Sequence, residues 1–241
     1  MPTSAATILA HLRTVESVRA RRAQSPDLAA NVAGLKAYQQ RRCSLTYGDL
    51  LESDRYGPAS KFFLDELYGP TDFTRRDAQF ARVVPALVRL FPSEIVDTVA
   101  TLAELHALSE TLDSTMAAQF HGADIGAVDY IRAWQATGRR GDRLTQISLT
   151  VDVACRLDRF TRRVLMRNSL WLMRGPARAA GLAELQQFLE AGFETFREMN
   201  GADEFISIVS ERERALASLL FEAIPERLTD PCTVRTLASL P

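Results

Sequence analysis

The sequence is poor in lysine, histidine, tryptophan and cysteine, and it has no long apolar run. Lys36 and Lys61 are its only lysines; the other 27 of its 29 basic residues are arginine. With the abundant alanine, this reads as the codon bias of a GC-rich genome rather than an arginine-specific function. The only histidines are His11, His106 and His121, and none has the setting a Ser–His hydrolase needs. Cys43, Cys155 and Cys232 are far apart and odd in number. Without a C-x-x-C pair they exclude a zinc knuckle and a thioredoxin-type site, and they suit a reducing cytoplasm. Arg41 and Arg42 before Cys43 would favour its thiolate, but a buried, inert thiol is the plainer expectation.

Other absences narrow the chemistry. No stretch approaches the ~20 apolar residues of a membrane span. The amino-terminal MPTSAATILAHLR lacks the basic region and apolar core of a secretion signal. There is no P-loop, dinucleotide-binding glycine motif, G-x-S-x-G or H-E-x-x-H. The net charge of -1 gives no global electrostatic case for nucleic acid or an anionic membrane. A cytoplasmic location is expected, and no cofactor is.

What is present is an ordinary globular balance, 46% hydrophobic and 24% charged over 241 residues. Apolar residues recur at helical spacing almost throughout. The pattern predicts helices over about 4–23, 27–43, 58–68, 74–91, 93–120, 124–137, 142–174, 182–200 and 202–223. The one alternating run, ISLTVDV at 147–153, merges into a helical pattern. No solenoid repeat or low-complexity linker divides the chain. The expectation is an all-α fold, a single-domain multi-helix bundle of about eight to nine helices over 1–223. An irregular tail over 224–241 follows, marked by its prolines and weak periodicity. Trp134 and Trp171 lie on apolar faces and read as core.

One segment looks like a signature: FFLDELYGPTDFTRRDAQFARVVP, from Phe62 to Pro85. Phe62, Phe63, Leu64, Leu67 and Tyr68 gather on one side of a helix. Gly69 and Pro70 end it. Asp72 and Phe73 follow; Thr74 is the expected N-cap of the next helix, with Asp77 in a capping-box position. Pro85 is expected to kink or break that helix. Arg75 and Arg76 sit where a helix N-terminus would favour an anion, although a cap and an ion pair fixing a corner need no ligand. The run from Phe62 to Asp77 resembles a family of uncharacterised bacterial all-helical proteins carrying FFL-x-x-LYG-x-x-DF-x-x-RD. That resemblance implies a bacterial source and a discrete helical fold, and brings no catalytic residues with it.

Two further constellations carry chemistry. Arg156, Arg159, Arg163, Arg167 and Arg174 form a stripe about 80° wide on one predicted helix. It would suit an anionic surface or nucleic acid. Residues 139–178 carry a net +7 and residues 179–241 a net -6, so pairing of the stripe with the acidic helices is the simpler reading. On helix 93–120, His106, Glu110 and Asp113 converge at i, i+4 and i+7. A mixed His and carboxylate metal site could use that face, yet the ferritin-type Glu-x-x-His is absent. LAELHALSETL around His106 also resembles the haem-ligating helix of a globin.

These residues together favour a protein that acts by binding: a small-ligand sensor, or a regulatory or assembly partner able to pair as a homodimer. The alternatives are a metal- or haem-dependent enzyme or redox protein centred on His106, and anion binding through the arginine stripe.

Overall fold

The computed structural model describes residues 3–66, 73–225 and 240–241. Tyr68, Gly69, Asp72, Cys232 and most of the expected tail lie outside them. The described residues are all helical, without a strand, in twelve helices rather than eight or nine. In chain order these are α1 (Ala5–Ala23), α2 (Pro26–Thr46), α3 (Gly48–Leu51), α4 (Gly57–Glu66), α5 (Thr74–Leu90) and α6 (Ser93–Ala117). The second half holds α7 (Ala127–Thr137), α8 (Arg140–Thr161), α9 (Val164–Leu172), α10 (Arg174–Ala179), α11 (Ala183–Glu198) and α12 (Asp203–Glu222).

Local chemistry explains the first boundaries. Ser4 caps α1 by accepting the Thr7 N–H at 3.2 Å, and Ser25 caps α2 from Leu28 at 3.4 Å with Pro26 at its first position. Gly138, at φ +65°, closes α7 in the left-handed conformation. Thr74 is not a cap: it is the first residue of α5, and Phe73 holds the cap position without a side-chain bond. Asp77 makes no capping box, because tertiary partners take its carboxylate. α5 runs through Pro85 unbroken.

The largest departure is the predicted helix 142–174, which forms three helices. Thr161 donates its hydroxyl to the Asp158 carbonyl at 2.8 Å, spending an acceptor that a continuing turn would use. The Asp158 carboxylate ties Arg162 at 2.6 Å and accepts the Ala202 N–H at 2.9 Å, pinning the end of α8 to the start of α12. Trp171, expected in the core, is 62% exposed on α9.

Three apolar clusters make the interior. Leu35, Tyr38, Tyr130, Ile131, Trp134 and Leu220 join α2, α7 and α12. Phe196, Met199, Phe205 and Ile206 pack with Tyr56 and Ala154, joining α11, α12 and α8. Ile8, Leu12, Val84, Val96 and Ala103 join α1, α5 and α6. Helix α6 touches α1, α2, α5, α7 and α8, and so runs between these clusters as a shared wall. The close approach of α2 to the loop after α6 requires glycine: a Cβ on Gly34 would lie 2.3 Å from the Ala123 carbonyl oxygen.

Candidate functional site: an interhelical cavity with a charged wall

A cavity of about 230 Å³ lies among α1, α2, α5, α6, α7, α8, α11 and α12. One face of α6 supplies Leu102, Leu105, His106, Ser109, Glu110 and Asp113, whose three- and four-residue steps put them on a single stripe. Phe80, Val99, Leu216 and Leu220 extend its apolar lining. Phe188 and the half-exposed Leu189 of α11 bring one end toward the surface.

Glu110 anchors the charged wall. It is 3% exposed and receives Arg22 at 2.6 Å, Lys36 at 3.0 Å and Arg19 at 3.2 Å. Burial alone would raise its carboxyl, but Lys36, Arg22 and Arg19 outweigh it and hold the group well below the usual carboxylate range. Asp77 receives Arg19 and the His106 Nε2–H, both at 2.8 Å. Its carboxyl is also lowered, burial opposing and His106 and Arg19 prevailing. Asp113 behaves differently. Burial pushes its carboxyl up against the pull of Lys36 and Arg143, and its hydrogen bond comes from Gln39 at 3.3 Å.

The opposite wall is built around two buried arginines. Arg42 pairs with Glu213, which also accepts the Tyr47 hydroxyl at 2.6 Å. Arg143, 4% exposed, sits over the Trp134 ring with its guanidinium carbon 4.1 Å from the ring centre. It donates to Gln146 at 3.1 Å and to the Met116 sulfur at 3.5 Å. Among the described residues no carboxylate forms an ion pair with it.

The sequence-predicted residues fall in three groups. His106, Glu110 and Asp113 do share the cavity wall. Their carboxylates are occupied by cations and an amide, and among the described residues no group of His, Cys, Asp and Glu is arranged to hold a metal ion. From the signature, Phe62 stacks on Phe188 at 5.7 Å and Phe63 on Phe205 at 5.7 Å. Arg76 lies over the rings of Phe73 (3.8 Å) and Phe188 (4.1 Å) on the cavity wall, while Arg75 is exposed and faces Glu184 at 3.0 Å. The arginine stripe is divided among α8, the cap of α9, α9 itself and α10. Arg156 pairs with Asp152, Arg163 with Glu94, Arg167 with Glu194 and Arg174 with Glu190. Arg159 remains on α8, near Cys155.

A family model matches residues 18–227. The chain belongs to the family described as Domain of unknown function (DUF8198). No curated protein and no solved structure gives a significant match. The DUF8198 span takes in every residue that lines the cavity except Leu12. No helix among the described residues is long and apolar enough to cross a membrane.

Reading the sequence alone misses Arg19, Arg22, Lys36, Arg42 and Arg143. A signal existed for two of them. Gln39 and Arg42 fall on the same stripe of α2 as Leu35 and Tyr38, polar residues where the period demands apolar ones. Lys36 is conspicuous as one of two lysines.

Proposed function

We propose that this chain is a small-molecule-binding protein whose ligand occupies the interhelical cavity. The cavity itself carries this reading. Natural interiors are close-packed with few voids, and an engineered void of about 150 Å³ already takes up benzene. At about 230 Å³ this one is larger, and it joins an apolar lining to a few convergent polar groups. A sensing or regulatory role in the cytoplasm is consistent with the three dispersed cysteines.

Saturable binding of a neutral ring compound tests the proposal. The fluorescence of 1-naphthylamine should rise on binding with one site per chain and be lost when Ser109→Phe fills the cavity. Binding that never saturates, or that Ser109→Phe leaves intact, overturns it.

A second reading is favoured by the His106–Asp77 hydrogen bond on the cavity wall. A carboxylate-oriented imidazole beside a bound molecule is the arrangement of a general base. This reading predicts turnover of the bound compound that His106→Gln abolishes without weakening binding. Binding without turnover refutes it.

A further inference from the structure

Arg143 is buried on the cavity wall, and among the described residues no carboxylate forms an ion pair with it. Of the five N–H groups a guanidinium carries, one goes to Gln146 and one to the Met116 sulfur, which leaves three. The other cations bonded at the walls each reach a carboxylate. Glu110 serves Arg19, Arg22 and Lys36; Asp77 serves Arg19 and His106; Glu213 serves Arg42. Asp113 forms no ion pair with Arg143 and takes its hydrogen bond from Gln39 at 3.3 Å, although the two charges attract across the wall and burial raises the Asp113 carboxyl against that pull. A buried charge without a partner is costly, so the site is complementary to an anion. The guanidinium is also already oriented. It rests against the Trp134 face, and its bonds to Met116 and to Gln146, itself bonded to Ser109 at 2.8 Å, hold it in place. Ordering costs on binding are therefore low.

We infer that the cavity's ligand is a small organic acid, with its carboxylate on the unspent N–H groups of Arg143 and an apolar ring or short chain lying along Leu102, Leu105, Phe80 and Leu216. The planar fork of arginine matches a carboxylate in two parallel bonds. The volume fits a body of one or two fused rings. This inference rests on the cavity being a binding site, and the two can fail separately.

The experiment is displacement of 1-naphthylamine from the full chain by two isosteric pairs: 1-naphthoic acid against 1-naphthamide, and 3-phenylpropanoic acid against its amide. A charge-assisted buried pair predicts that each acid binds about ten- to a hundredfold more tightly than its amide. Arg143→Gln should erase that preference, read as the ratio of acid to amide affinity within the variant. The acid labelled with ¹³C at its carboxyl gives a readout needing no variant. Bound to the wild-type protein, it should remain ionised at least about one pH unit below its free pKa. If 1-naphthylamine binds but acid and amide compete equally, or the labelled carboxyl titrates as it does in water, the acid assignment fails and the binding proposal stands. An acid preference that survives Arg143→Gln overturns the role of Arg143. No saturable probe binding at all overturns both.

Discussion

Glu110→Gln keeps the shape of a buried side chain and removes its charge, so it isolates the electrostatics of the cavity wall. The amide leaves Arg22, Arg19 and Lys36 at 14%, 18% and 19% side-chain exposure without their shared anion. Orphaning a fully buried charge costs ~3–5 kcal/mol. Here the cations keep some water and Arg19 keeps Asp77, so ~2 kcal/mol is expected at pH 7. The pH dependence sharpens the test. The folded carboxyl of Glu110 is held below its unfolded value, so its contribution is complete above the unfolded pKa and is lost as pH falls toward the folded one. With an unfolded value of ~4.3 and ~1.36 kcal/mol per unit, the wild type gives up about 1.8 kcal/mol of this advantage by pH 3. Urea unfolding at pH 7 and pH 3, fitted with a common m-value, should show the gap between wild type and variant nearly closing. A gap under about 0.5 kcal/mol at pH 7, or one that persists unchanged to pH 3, would refute the reasoning.

Other substitutions probe the packing. Gly34→Ala drives a methyl into the Ala123 carbonyl and should cost ~1–3 kcal/mol, lowering Tm by several degrees in a thermal melt; an unchanged Tm would show that the loop gives way freely. Asp158→Ala orphans the fully buried Ala202 N–H at the start of α12. It should destabilise the fold by ~1–3 kcal/mol, with Asp158→Asn milder, in the same denaturation assay. Burial pushes the Cys43 thiol up to about 12 despite Arg42. In a variant lacking Cys155 and Cys232 it should therefore ignore Ellman's reagent at pH 8 until urea is added, and prompt labelling of the folded protein would contradict its burial.

The all-helical class was legible because one period, 3.6 residues, persists along almost the whole chain. Helix ends were legible where a local group acts on its own backbone, as at Ser25 with Pro26 and at Gly138. They were not legible where distant residues decide. α8 ends at Thr161 because Asp158 reaches across to Ala202, and nothing near 161 in sequence announces that. The site shows the same division. The stripe of His106, Glu110 and Asp113 follows from spacing on one helix. Its meaning depends on Arg19, Arg22 and Lys36, which arrive from α1 and α2, and those cations turn a ligand-like face into an ion cluster. The described part of the signature is apolar as much as charged: Phe62 and Arg76 pack on Phe188 of α11, and Phe63 packs on Phe196 of α11 and Phe205 of α12.

Among the described residues the three apolar clusters meet along α6 and the cavity. A molecule seated there would touch the α2–α7–α12 and α1–α5–α6 sides at once. Occupancy would then be felt as cooperativity: amide protons in α1 and α7, which share no contact in the empty protein's clusters, would begin to exchange in step. Such a chain could report a bound molecule through the coherence of its fluctuations while its average shape stays nearly constant.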